Sequence, residues 1–193
     1  MHGGMITELG AGNNWARPTL AVWFAFPLYY SQTPQSIPPH TPEYFMNILE
    51  TERLILRHQV LDDLDSLFAL YEDPAVCQYI PDAPRTYDEA RKELEWHMHG
   101  HPRRPELGLW ATILKETGQF IGRCGLLPWT IEGQEEVEVA YLIGQAHWGQ
   151  GLGTEAAVAI VRYGFEQLQL PRLVCLIEAG NIASIKIAEK IGM

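Results

Sequence analysis

Basic residues are scarce in this chain of 193 residues: 14 Lys and Arg stand against 24 Asp and Glu, a formal net charge of −10. An overall basic surface for nucleic acid is therefore absent, and no nucleic-acid partner is expected. Cysteine is scarce too. Cys77, Cys124 and Cys175 are odd in number and far apart, which fits neither a disulfide framework nor a zinc site and points to a reducing compartment, the cytoplasm. No metal is expected. The apolar run Thr19–Phe26 is eight residues long and is followed by Pro27, whereas spanning a bilayer takes about 20 residues, so no membrane partner is expected either. As a secretory signal the run has one positive charge before it and no small-x-small cleavage site after it.

Residues 1–45 are also poor in charge, with only Glu8, Arg17 and Glu43, and they hold six of the 13 prolines. Proline at that density breaks helices and central strands alike. This stretch reads as a proline-rich leader, expected to be poorly ordered, and residues 46–193 read as the domain. Hydrophobic residues make up 47% of the chain and charged residues 20%, enough apolar material for a packed core.

Within the domain, Thr51–Arg57 reads as a strand. Leu64, Leu67, Phe68 and Tyr71 fall at helical spacing and predict a helix from Asp62 to Tyr71, stopped by Asp73-Pro74. Thr86-Tyr-Asp-Glu89 is a capping box that opens a second helix running to about Gly100. Leu109–Leu114 and Phe120–Leu126 flank a turn containing Gly118, a hairpin signature. Glu135–Ile143 is a further strand, Thr154–Leu168 a helix, Arg172–Glu178 a buried strand and Asn181–Lys190 a helix with Asn181 as N-cap. The order predicts an α+β domain on a mixed sheet.

The densest motif is Trp148-Gly149-Gln150-Gly151-Leu152-Gly153-Thr154, placed between a strand and a helix. Glycine lets a ligand approach the backbone without a Cβ in the way. The helix N-terminus aims unpaired N–H groups and a partial positive charge at the same spot. Such a loop is a cradle for phosphate or pyrophosphate. A Walker loop is excluded, because no lysine occurs between residues 116 and 185. A dinucleotide fingerprint begun at Gly149 would need glycine at 154, where Thr154 stands.

Strand, Trp148–Ala157 loop and helix, strand, then Asn181-Ile-Ala-Ser184 and Glu189–Met193, resemble the GNAT acyl-CoA N-acyltransferases. Glu50–Arg57 and Gly122-Arg-Cys-Gly125 bring the resemblance closest to the branch of ribosomal-protein-alanine N-acetyltransferases. It implies a mostly antiparallel twisted sheet flanked by helices, and acetyl-CoA as cosubstrate. By the same resemblance, the loop Trp148–Thr154 gives its N–H groups to the coenzyme A pyrophosphate, with Gly151 and Gly153 at the family's fixed positions. The backbone of Tyr141, Leu142 and Ile143 pairs with the pantetheine arm, and Asn181 touches that arm. Family members usually continue with two more strands where this sequence stops at Met193, so the resemblance implies missing last strands and a C-terminally incomplete domain.

Transfer to an amine needs a base for the ammonium, a donor for the oxyanion and an acid for the thiolate. Glu138 is the candidate base, weighed against a solvated strand residue beside Glu135 and Glu136. The family's usual tyrosine seven residues after the asparagine is Ala188 here, and the resemblance offers Ser184 as the acid instead. The acceptor is expected to be a small-molecule amine or a protein N-terminus. A non-catalytic acyl-CoA-binding module or inactive fragment is the alternative, and a nucleotide-binding protein rests on the glycines alone. Oligomeric state is left open, a homodimer being one option. His97-x-His99-x-His101 has the wrong spacing for a shared helical face and reads as a solvated helix end. Cys124 has no sequence cue pairing it with a base, so direct transfer is expected.

Overall fold

The structure, a computed structural model, describes residues 4–10, 19–21, 47–98, 100, 101 and 103–193. The expectation of a poorly ordered leader concerns residues 1–45, most of which lie outside the described residues. Among the described residues eight strands form one sheet: β1 (Gly4–Gly10), β2 (Thr19–Ala21), β3 (Asn47–Glu50), β4 (Leu54–Arg57), β5 (Gly108–Leu114), β6 (Gln119–Ile131), β7 (Gln134–Ile143) and β8 (Arg172–Glu178). Their order is β2-β1-β8-β7-β6-β5-β4-β3. Every neighbouring pair is antiparallel except β7 and β8, which run parallel. The mixed, mostly antiparallel sheet of the sequence reading is the sheet observed.

The helices are α1 (Leu64–Tyr71), α2 (Pro74–Cys77), α3 (Tyr87–His97), α4 (Leu152–Arg162) and α5 (Ile182–Lys190). Leu64, Leu67 and Tyr71 of α1 and Ala90 and Leu94 of α3 pack with Phe120 and Leu142 on one face of the sheet. Ala156, Ala157 and Ile160 of α4 and Ala188 of α5 pack with Val137, Val139, Ile143, Leu173 and Cys175 on the other. Alternate side chains of β7 thus face opposite helical layers, as strand geometry requires. Fully burying residues such as Leu54, Leu56 and Leu173, each 0% exposed, contributes roughly 1.5–3 kcal/mol apiece.

Several element ends differ from the sequence reading, each for a local reason. The strand expected from Thr51 begins at Leu54, because Thr51 and Arg53 are drawn into contacts with α4. Asp73-Pro74 ends α1 and also starts α2: the Asp73 carboxylate accepts the Ala75 N–H at 2.9 Å, with Pro74 in the first turn. The capping box forms, the Thr86 hydroxyl accepting the Glu89 N–H at 3.2 Å. That helix stops at His97, and the chain turns through Gly100, whose N–H donates to the His97 carbonyl at 3.1 Å. Helix α4 starts at Leu152, two residues early, and its last turn, Tyr163–Gln167, widens to π geometry.

The outer edge of β8 pairs antiparallel with β1 from Gly4↔Glu178 to Gly10↔Arg172, and β2 pairs with β1 beyond it. Two segments from the N-terminal part of the sequence thus stand at this edge of the sheet.

Candidate active site

The parallel pair is where the sheet opens. β7 and β8 share one registered pair, Glu138 with Val174, and past it β7 continues for five residues with no registered partner on that side among the described residues. The Cys175 thiol donates to the Val139 carbonyl at 3.6 Å, which fixes the direction of that carbonyl toward β8. Backbone groups of a strand point alternately to its two sides, so those of Tyr141 and Ile143 face the same gap. Leu142 faces β6, and Gly144 donates to the Ile121 carbonyl at 2.8 Å.

The gap runs into the glycine-rich loop. Gly149 and Gly151 have φ of 74° and 79°, the left-handed region where a Cβ is strained. Gly151 is the N-cap of α4. Among the described residues nothing lies within 4 Å of where a Cβ on Gly149 would stand, so the loop presents open backbone. Leu152, 2% exposed, anchors the loop in the core. Gly153 lets α4 approach α5, since a Cβ there would sit 3.1 Å from Ile187 Cδ1. Trp148 is 48% exposed and its indole N–H donates to the Ile143 carbonyl at 2.6 Å. One of the two carbonyls facing the gap is thereby occupied from within the chain, and the Tyr141 backbone is the edge left for pairing. Thr154 lies in the first turn of α4, half-buried.

At the closed end of the gap stands Glu138. Its carboxylate accepts the Trp129 indole N–H at 2.6 Å and the Leu176 backbone N–H. Burial pushes its carboxyl up to about 7, although both hydrogen bonds favour the ionised form. Its neighbours differ: Glu135 is exposed, and Glu136 is buried in an ion pair with Arg172. Glu138 shares a face with Leu142, whereas Tyr141 is on the α4–α5 face. The candidate base and Tyr141 therefore lie on opposite sides of the sheet, with the gap between them.

On the α4–α5 side, Asn181 caps α5 by accepting the Ser184 N–H at 3.1 Å. The Tyr141 phenol donates to the Ser184 carbonyl at 3.0 Å, and burial pushes its pKa well above the ordinary tyrosine range, so it stays protonated. Tyr141 thus brings a phenol to Ser184, where the family's tyrosine is replaced by Ala188. The sequence reading used only the backbone of Tyr141.

Residues 53–193 match the family described as the Acetyltransferase (GNAT) domain. The chain belongs to the GNAT acetyltransferase family. It is an acyltransferase. It is 38% identical over 146 residues to the uncharacterized protein YkkB of Bacillus subtilis (strain 168), covering 75% of this chain and 84% of that one. It is 33% identical over 144 residues to the uncharacterized N-acetyltransferase p20 of Bacillus licheniformis, covering 74% and 79%. A crystal structure of a GNAT-family acetyltransferase from Bacillus anthracis superposes with a TM-score of 0.65 at 25% identity, over 75% of this chain and 81% of that one.

GNAT acetyltransferases use acetyl-CoA, and the residues present fit it. The open backbone at Gly149 and the helix N-terminus at Gly151 suit a pyrophosphate, and the unpaired Tyr141 edge suits the amides of a pantetheine arm. Cys124 is fully buried and its thiol is pushed up to about 11 by burial, which leaves no thiolate for a covalent route. His97 corrects the reading of a solvated helix end: it is 5% exposed, and burial pushes its imidazole down to about 3, so it is neutral. His99 lies outside the described residues. Among the described residues no group of three or more His, Cys, Asp or Glu is placed to hold a metal ion, and no helix is long and apolar enough to cross a membrane.

Two site residues were missed in the sequence reading. Trp129 is diagonal to Glu138 across the β6–β7 hairpin, where Leu127 pairs with Glu138 and Trp129 with Glu136. Counting back from the Glu132-Gly133 turn would have found it. Arg53 reaches the loop from almost a hundred residues away, and no sequence signal announces that contact.

Proposed function

We propose that this GNAT protein transfers the acetyl group of acetyl-CoA to a primary amine by direct attack, in the cytoplasm, with a protein N-terminus among the acceptors. The observation that carries the reading is the gap between β7 and β8, with a carboxyl poised near neutrality on one side and a protonated phenol on the other. Glu138, held by Trp129, takes the proton from the incoming ammonium. The amine nitrogen then bonds to the thioester carbonyl carbon, the carbon–sulfur bond breaks, and the sulfur leaves with the bonding pair. The thiolate takes its proton from the Ser184 hydroxyl or the Tyr141 phenol; the hydrogen bond from the phenol to the Ser184 backbone carbonyl favours Tyr141 working beside Ser184. The loop Trp148–Thr154 holds the pyrophosphate, the Tyr141 backbone pairs with the arm, and the Asn181 side-chain amide stands beside it. A net charge of −10 favours cationic acceptors in encounter.

Thiol release from acetyl-CoA, followed with DTNB across a panel of amines and N-terminal peptides, tests this. Steady release above background with at least one amine is expected. Tight CoA binding without release for any amine would support the non-catalytic acyl-CoA-binding module instead.

A further inference from the structure

The least expected contacts near the glycine loop come from the segment just before β4. Arg53 Nη1 donates to the Gln150 carbonyl at 3.0 Å, and Nη2 lies 3.6 Å from where a Cβ on Gly151 would stand. The same guanidinium forks onto Glu155, Nε at 2.7 Å and Nη2 at 2.6 Å from Oε2. The other oxygen of Glu155 accepts the Thr51 hydroxyl at 2.5 Å and the Arg53 backbone N–H at 2.9 Å. Glu155 sits in the first turn of α4. Burial opposes its ionisation, and the Thr51 and Arg53 hydrogen bonds outweigh burial, so its carboxyl is held below the usual range.

We propose that Arg53 is a positioning residue for coenzyme A binding, which locks the peptide between Gln150 and Gly151 so that the Gly151 N–H faces the phosphate. The inference rests on reading the loop as the pyrophosphate cradle. In a trans peptide the C=O of one residue and the N–H of the next point in opposite directions. A guanidinium on the outer side, bonded to the Gln150 carbonyl, turns the Gly151 N–H toward the inner side. Gln150 lies between two left-handed glycines, which impose weak conformational preference on the backbone. Its side chain is tied to the Ala146 carbonyl and the Gly151 carbonyl accepts the Glu155 N–H, while the Gln150 carbonyl is held by Arg53. The fork onto Glu155 fixes the guanidinium in turn. It also neutralises a carboxylate in the helical turn that a phosphate approaches, where an unpaired negative charge would repel it. Arginine suits both duties, since its planar fork reaches a carboxylate with one edge and a carbonyl with another.

The test uses the full chain and the variants Arg53→Ala and Arg53→Lys. Coenzyme A affinity is measured by calorimetry, KM for acetyl-CoA and kcat by steady-state assay, and amide exchange of residues 149–152 in the ligand-free protein by mass spectrometry. Arg53→Ala is expected to raise Kd and KM about tenfold, the loss for one hydrogen bond to a charged group, with kcat at saturation within about twofold. Arg53→Lys, which keeps charge and loses the fork, is expected in between. Loop amides should exchange faster in both variants while β6 is unchanged. A Kd within twofold of wild type in a folded variant, Arg53→Lys deciding if Arg53→Ala does not fold, would overturn the proposal. Wild type without measurable CoA affinity would instead sink the cofactor reading, and unchanged loop exchange would then reject the lock independently.

Discussion

Replacing Glu138 by glutamine tests both the chemistry and the energetics of the site. A carboxyl pushed up to about 7 is ionised to roughly one-tenth at pH 6 and nine-tenths at pH 8. If it is the base, kcat/KM of wild type should climb about tenfold across that interval on its account. Glu138→Gln should lower kcat by about 10²–10⁴-fold and keep only the limb set by the acceptor's own ammonium. Trp129→Phe should move the wild-type limb upward by roughly one pH unit, because it removes a donor that favours the carboxylate. Stability supplies a second readout. A folded-state value raised from 4.5 to about 7 means the unfolded chain ionises first as pH rises. The native state therefore loses stability between those two values, by up to about 3 kcal/mol above them. Glu138→Gln removes that cost, so its Tm should exceed wild type at pH 8 and not at pH 4. Superimposable kcat/KM–pH profiles for wild type and Glu138→Gln would refute the assignment.

Three further outcomes follow from the geometry. Tyr141→Phe should lower kcat about tenfold or more and change CoA affinity far less, whereas a larger kcat loss in Ser184→Ala than in Tyr141→Phe would assign the proton to the serine. Gly151→Ala places a side chain at φ 79°, which should cost about 1–2 kcal/mol in a urea melt and weaken CoA binding, read together by melting with and without the ligand. Glu93→Ala strands Arg123, 7% exposed and paired to Glu93 at 2.9 Å, and should cost about 3 kcal/mol in the same melt with little change in KM.

Local features were legible in the sequence and distant ones were not. The strand Arg172–Glu178 is legible to the residue because an apolar run between a proline and a glycine-bounded turn has few alternatives. Asn181 caps α5 as read, since capping depends on residues within one turn. The glycines of the loop announced open backbone because no other residue takes φ of 74° and 79° so cheaply. Nothing local marks His97 as buried, since the α3 stripe gives its spacing but not which elements close over its end. That β1 would find the β8 edge was equally invisible: edge pairing is a matter of what is available in space, and hydrogen bonds of the backbone carry no sequence signature. Nothing local marks the Tyr141 phenol, which meets the Ser184 carbonyl across 43 positions of sequence.

The contact between Thr51 and Glu155 spans 104 positions, and that separation bears on when the site comes into being. Contacts so far apart along the chain are closed late in folding, after the entropy of joining their ends has been met. During synthesis the segment around Arg53 emerges first and must wait for the whole of β5, β6 and β7 before the turn it braces exists. Until then the stretch from Gly149 to Gly153 has flexible glycines and no brace. The ability to take up the cosubstrate is therefore a late acquisition of the folding chain, arriving with the meeting of the domain's first strands and its fourth helix, and a ligand that binds there reports on complete assembly of that side of the sheet.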